Sequence, residues 1–341
     1  VTQFERLTID DIARLANVSR TTASMVINGY AERYRISAAT VERVLQVARD
    51  NHFVPSQSAR SLRSRRSNTV GLVIPDLTNS AHSALAQAME SLCRKQYGYQ
   101  LVIVTSDEDP ARETEGIAHL VAHQVDGMIV VPCTADARRY EKWMKRLPLV
   151  FADRRVLDSQ IPYVVTDATE TVASLVGDAL QQGVREVIYF GGQPELSASR
   201  DRLAGYRLAL AAHGVAEQPG WVHERDFQRD SGHALMQAWF GQHGRYPQAL
   251  FAGSITLLEG VLSFISETHK LAQAPERLMT FDDHQLLDCL PLPIDAIVQD
   301  SQQLADQSLR CVMALLEGEA TPASLQVPAH IHYRRVVSAP G

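Results

Sequence analysis

The sequence predicts an all-α helix-turn-helix head followed by a two-lobed α/β core built on two parallel, doubly wound sheets. Three observations carry this. Residues 8–50 hold three short stretches with apolar residues at helical spacing, separated by tight breaks. From residue 68 onward, short continuous apolar runs alternate with helical segments, as parallel strands covered on both faces require. That alternation falls into two successive series, one for each lobe. A length of 341 residues fits two or three domains at ~100–200 residues each.

In the head, Thr8 followed by Asp10 and Asp11 predicts an N-cap with carboxylates in the first turn, and Ile9, Ile12, Ala13, Leu15 and Ala16 form the apolar stripe. Asn17-Val18 interrupts it. Ser19 then caps a second helix over 20–28, with Ala23, Val26 and Ile27 inward. A third helix starts at Ser37, with Val41, Val44, Leu45 and Ala48 facing in. Two short helices joined by a tight turn and braced by a third make a helix-turn-helix unit. Arg20, Thr21, Thr22, Ser24 and Met25 then lie on the outer side of the second helix. Arg20 and Thr21 at its start suit guanine edges and thymine methyl groups in a major groove. Thr22, Ser24 and Asn28 suit phosphate oxygens, and Thr8, Ser19 and Met25 are the further DNA contacts expected of the head.

Residues 1–66 hold 11 Arg and no Lys against 6 acidic residues, a balance of +5, whereas the rest of the chain stands at −11. A basic head on an acidic body points to a polyanion bound at one end. After Pro55, a short helix over 56–62 would be marginal in water by itself. It carries Ala59 and Leu62 among Arg60, Arg63, Arg65 and Arg66, which suits a hinge that orders on DNA with Leu62 as a wedge. A flexible basic linker is the plainer alternative. Either reading places a domain boundary near residue 67.

No run approaches ~18 consecutive apolar residues, so no membrane helix is expected. The start, Val1 to Arg6, lacks a basic segment followed by an apolar one, so a secretory signal is not expected and a cytoplasmic location is. Cys93, Cys133, Cys289 and Cys311 lie far apart without a CxxC pair and read as reduced, mostly buried thiols. Gly191-Gly192 is not part of a G-x-G-x-x-G segment and no Walker A sequence occurs, so neither nucleotide nor other cofactor is expected. Phe281-Asp282-Asp283-His284 lacks a second ligand cluster, so no metal is expected, and His330 and His332 read as surface or core residues.

The run DIARLANVSRTTASMVING at 11–29 resembles the DNA-binding head of the LacI/GalR family, and the chain length and the hinge ending in Leu62 fit the same family. The segments GGQPELS at 191–197 and QLLD at 285–288 are similar to its sucrose-operon and fructose repressors. This resemblance implies a core of the periplasmic-binding-protein type. The domain plan is 1–55 for the head, 56–67 for the hinge, 68–166 plus 300–326 for the first lobe, and 167–299 plus 327–341 for the second.

The strand-like segments are 70–75, 100–105, 127–131, 149–151 and 163–165, then 187–190, 249–252 and 278–281. The helical ones are 81–96, 113–124, 169–182, 200–213, 231–243 and 257–269. Ligands of such sheets bind beyond the carboxyl ends of the strands, in the cleft between lobes. Asp153-Arg154 ends one strand. The family resemblance adds Arg202 in the S-x-x-R-x-x-G segment, Ser254 where relatives often have Asn, Asp282 and Gln299 at strand ends, and Asn79 and His82 in the first strand–helix loop. Carboxylates accept paired sugar hydroxyls, and Arg donates to hydroxyls or phosphate. Asp282, shared with the sucrose-type relatives, would hold a hydroxyl-rich sugar and repel a phosphate beside it.

The expected activity is therefore a repressor of sugar-utilisation genes, not an enzyme, released from a pseudo-palindromic operator by fructose or fructose 1-phosphate. A homodimer is expected because one small head offers too little contact for tight specific binding; a tetramer stays open. The alternatives are a sugar-binding protein without a DNA role, an enzyme using the Asp-Asp-His run, and a global carbon-flux regulator answering to a sugar phosphate.

Overall fold

The computed structural model describes residues 7–54, 66–268, 271–320 and 322–334. The chain divides into two units, Val1–Ser67 and Asn68–Gly341. The expected hinge contacts Ala59, Arg60, Leu62 and Arg63 lie outside the described residues.

The head contains helices α1 (Ile9–Leu15), α2 (Arg20–Ile27) and α3 (Ala38–Asp50). Each begins at a side-chain cap. Thr8 forms a reciprocal capping box with Asp11, Ser19 accepts the Thr22 amide at 3.0 Å, and Ser37 accepts that of Thr40. Asn17 turns the chain between α1 and α2 at φ +50°, a left-handed conformation that Asn tolerates. Ile12, Ala13, Ala16, Ala23, Val26 and Val44 form the small core. Leu15, expected inward, is 49% exposed, because each helical position turns by roughly 100° and carries it off the stripe through Ile12 and Ala16.

The first lobe is a six-stranded sheet of β1 (Thr69–Ile74), β2 (Gln100–Thr105), β3 (Gly127–Val130), β4 (Leu149–Ala152), β5 (Tyr163–Thr166) and β11 (Leu325–Val327). Its order is β11-β5-β4-β3-β1-β2, with every pairing parallel. Helices α4 (Ser80–Leu92), α5 (Pro110–Ala122), α6 (Arg138–Met144) and α11 (Ser301–Leu316) cover it, with a separate apolar cluster on each face. Val327, expected in the second lobe, pairs with Thr166 in this sheet. Two of these helices escape the periodicity reading. In α6 the charged sequence RRYEKWM hides the buried pair Tyr140 and Trp143; in α11 the inner positions include small or polar Ala305, Ser308 and Cys311.

The second lobe repeats the plan with β6 (Val187–Gly191), β7 (Val222–Glu224), β8 (Ala249–Ala252), β9 (Arg277–Phe281), β10 (Ile294–Val298) and β12 (His330–His332), in the order β12-β10-β9-β8-β6-β7. Only the edge strand β12 is antiparallel among these pairings. Helices α7 (Ala168–Gln181) and α8 (Ser197–Ala212) belong to one face, and α9 (Arg229–His243) and α10 (Ile255–Glu267) to the other.

The α9–α10 contact is set by two glycines. A Cβ on Gly260 would lie 1.9 Å from the Arg229 carbonyl oxygen, and one on Gly232 2.1 Å from that of Leu257. The backbones therefore meet where no side chain fits. That contact anchors the helix capped by Ser254 against the one that follows Phe227. Gly260→Ala should lower the stability of the core by ~1–3 kcal/mol or more through overpacking. The expected result is a lower urea midpoint at unchanged slope; a midpoint equal to the parent's would contradict the close approach.

Candidate ligand cleft and helix-turn-helix face

The carboxyl ends of both sheets open on one cleft of about 270 Å³, counting its open mouth. All eight expected residues line it: Asn79, His82, Asp153, Arg154, Arg202, Ser254, Asp282 and Gln299, joined by Ala81 and Phe227. The loops after β1, β4, β8, β9 and β10 supply six of the eight, as a parallel sheet directs; His82, expected in the first strand–helix loop, lies in the first turn of α4, and Arg202 comes from α8.

Asn79 and Ser254 have structural duties as N-caps of α4 and α10, accepting the amides of Ala81 at 2.9 Å and Leu257 at 3.2 Å. His82 is buried, with Nδ1 3.6 Å from Asp76 Oδ2, too long for a hydrogen bond. The imidazole nonetheless holds the Asp76 carboxyl well below its ordinary range. Asp153 and Asp282 both adopt left-handed backbone conformations, φ +62° and +73°, which turn the chain sharply at the strand ends. The Asp153 carboxylate accepts no hydrogen bond from the described residues. Asp282 is buried and accepts from Gln299 Nε2 at 2.6 Å, while Gln299 Oε1 accepts from the Thr166 hydroxyl. Burial pushes the Asp282 carboxyl above its ordinary range; Arg202 opposes that shift and Asp153 adds to it.

Arg202 donates from Nη1 to the Gly253 carbonyl at 2.6 Å. Its guanidinium lies 3.7 Å from the centre of the Phe281 ring and 5.4 Å from that of Phe227. Arg154 stands 5.3 Å from the Phe227 ring and is held by Glu108 through Nη2–Oε1 at 2.7 Å and Nη1–Oε2 at 2.9 Å. Burial opposes the Arg154 charge and the Glu108 carboxylate more than restores it. Arg202 Nε and His82 Nδ1 are buried polar atoms without a hydrogen bond among the described residues, and a ligand oxygen or hydroxyl can satisfy such atoms. Beside the cleft, Arg155 of the first lobe grips Asp201 of the second at 2.6 and 2.9 Å.

Sequence reasoning missed Glu108 and Phe227. Glu108 sits in Asp107-Glu108-Asp109 directly after an apolar strand, a position that marks it as a cleft candidate. Phe227 lies in a segment with no periodicity, and nothing in the sequence singles it out. Among the described residues, no group of three or more potential metal ligands occurs and no helix is long and apolar enough to cross a membrane.

On the head, Arg20 and Thr21 are exposed at the start of α2. Arg20 Nε lies 3.2 Å from Asp10 in an open ion pair, worth only ~0–1 kcal/mol. Thr21 makes no side-chain hydrogen bond within the described residues. The other expected DNA contacts also have local duties. Thr8 and Ser19 are caps, Thr22 shares a 2.8 Å contact with Ser19, and Asn28 donates to the Ser24 carbonyl at 2.7 Å. Met25 is half-buried.

Residues 8–56 match the model of the bacterial regulatory proteins of the lacI family, and residues 67–313 match that of the periplasmic binding proteins and sugar-binding domain of the LacI family. The chain is 42% identical over 331 residues to the sucrose operon repressor of Klebsiella pneumoniae, covering 97% of this chain and 98% of that protein. It is similar to the structure of the Cra transcriptional dual regulator of Pseudomonas putida in complex with fructose 1-phosphate, at 30% identity and a TM-score of 0.72, covering 79% of this chain and 99% of that one. The lac repressor dimer bound to operator and the anti-inducer ONPF shares the fold over 97% of this chain and 98% of that one, at a TM-score of 0.82 and 22% identity. With both family models matched in order along one chain, this protein belongs to the LacI family of bacterial transcriptional regulators.

Proposed function

We propose that the chain is a homodimeric repressor of sugar-utilisation genes that leaves a pseudo-palindromic operator when fructose or fructose 1-phosphate occupies the cleft. The observation that carries this reading is the convergence of Asp153, Arg202, Asp282 and Gln299 on one small polar cleft between the lobes. Two carboxylates, a guanidinium and an amide over an aromatic floor suit a polyhydroxyl ligand. The names of the relatives, a sucrose operon repressor and a regulator crystallised with fructose 1-phosphate, support the same sugar chemistry.

Arg20 and Thr21 read bases, and Thr8, Ser19, Thr22, Ser24, Met25 and Asn28 set the register of α2 on the backbone. On sequence grounds, Arg60 and Arg63 add counterion release, and Ala59 and Leu62 the central minor-groove contact. The edge strand β2, with Val102 and Ile103 exposed, offers apolar surface for a partner subunit. A protein that binds genomic operators works in the cytoplasm, and membership of a family of regulators supports a role without catalysis. A mobility shift of operator DNA with and without fructose, fructose 1-phosphate and sucrose tests the whole reading; DNA binding unaffected by every sugar would overturn it.

Two substitutions probe its halves. Arg20→Ala should lose ~1–3 kcal/mol of discrimination at one base pair of each half-site, measured against a panel of operator variants; an unchanged preference order removes Arg20 from base reading. Asp282→Asn suits the left-handed backbone and should weaken sugar binding roughly 10- to 100-fold by calorimetry. The folded state holds the Asp282 proton more tightly than the unfolded chain, so its contribution to stability is lost as pH rises through the raised pKa. The ligand-free Asp282→Asn variant should therefore melt higher than the parent at neutral pH, with a flatter profile as pH rises above the ordinary carboxylate value of about 4. A lower melting temperature with normal sugar affinity would contradict both roles.

A further inference from the structure

The Glu108–Arg154 ion pair takes no part in the reading above, yet it decides what charge the cleft presents. Arg154 lines the cleft, while Glu108 is not among the lining residues. Their side chains are only 4% and 10% exposed. Both terminal nitrogens of Arg154 are occupied by the two Glu108 oxygens, at 2.7 and 2.9 Å, and Nη1 also lies 3.4 Å from the Pro132 carbonyl. This two-pronged arrangement is the one by which a guanidinium would otherwise hold a phosphate.

Glu108 is delivered by a built turn. Asp107 and Glu108 are successive left-handed residues, φ +53° and +57°. The Asp107 amide donates to the Pro75 carbonyl at 2.7 Å, the Asp109 amide to that of Ser106 at 2.9 Å, and the Asp109 carboxylate caps α5 through the Ala111 amide at 2.7 Å. These bonds tie the turn to β1, β2 and α5.

With Arg154 cancelled, the cleft sets one guanidinium, Arg202, against the carboxylates of Asp153 and Asp282. Arg202 itself spends Nη1 on Gly253 and rests on the Phe281 ring. A phosphate group brings a charge of about −1.5 to −2 at neutral pH and meets two carboxylates against the single uncancelled guanidinium, whose unbonded Nε side is what that guanidinium has left to offer. Hydroxyls donate to both carboxylates without that penalty. We infer that Glu108 is a specificity-determining residue that neutralises Arg154, so that the cleft takes a neutral, hydroxyl-rich sugar in preference to its phosphate ester. The inference rests on the cleft being the sugar site and chooses between the two ligands left open above.

Calorimetric titration of the full chain with D-fructose and with D-fructose 1-phosphate tests it. The parent should bind fructose at least fivefold more tightly. Glu108→Gln, which keeps an acceptor but removes the charge, should shift the affinity ratio toward the phosphate ester by at least fivefold. Glu108→Asp, which keeps the charge, should hold the parent's ratio within that margin. A parent preference below fivefold, a smaller shift in Glu108→Gln, or an equal shift in both variants overturns the inference. If Glu108→Gln shows no cooperative melting transition, the parent's own preference decides.

If neither sugar binds the parent, the ligand assigned in the proposed function fails separately. Inorganic phosphate then settles the electrostatic claim. Saturable binding by Glu108→Gln that the parent lacks upholds it, and equal behaviour of the two overturns it.

Discussion

Charged groups drawn inside a protein must be paired there or reserved for a ligand, because an unpaired buried charge costs several kcal/mol. The cleft meets this constraint in two ways. Arg154 is paired through both terminal nitrogens with Glu108, which offsets its charge. Arg202 is paired only in part, through the Gly253 carbonyl and the Phe281 ring, and its charge is shared with Asp153 and Asp282 across the opening. Burial pushes the Asp282 carboxyl above its ordinary range, and a hydroxyl donor in the cleft would replace what water supplies outside. The preference for sugar then follows from incomplete pairing among groups already fixed in place, so little ordering is left for the ligand to impose.

The fold explains why those groups are fixed. Parallel sheets end all their strands on one side, and the residues beyond β4, β8, β9 and β10 arrive there directly. At β4 and β9 the turn is made by an Asp in the left-handed region, so one residue both ends the strand and supplies a carboxylate. Thr166 and Gln299 tie together two of the segments that pass between the lobes, and Gln299 carries that link to Asp282. Together with Arg155–Asp201 beside the cleft, these contacts connect the ligand groups to the relative position of the lobes. Closure around a ligand has a direct physical route through them.

Much of this was legible in the sequence, for reasons that differ by residue. Asp153 stands out as a polar residue after an uninterrupted apolar strand, Asp282 was added at a similar strand end by the family resemblance, and Ser19 and Ser37 stand out as caps before helical stripes. Arg202 and Gln299 needed the family resemblance, because an arginine inside a helix or a glutamine after a short strand is ordinarily a surface group. Glu108 was obscured by its neighbours: any of Asp107, Glu108 and Asp109 can cap a helix, and the fold alone shows that Asp109 does so while Glu108 turns to Arg154. Helix α6 was hidden by a charged surface in which only Tyr140 and Trp143 face inward.

The head presents the complementary design. Its caps and small core hold α2, while Arg20 and Thr21 stay exposed, Arg20 with only a weak tie to Asp10, so little would be lost if they turned to DNA. If sugar in the cleft and operator on the head favour different states of one molecule, each must weaken the other by the same factor. Fructose affinity measured with the chain free and with the chain saturated by operator DNA tests this most directly. The account predicts that operator lowers fructose affinity by the same factor by which fructose lowers operator affinity; an equal fructose affinity in the two states would contradict it.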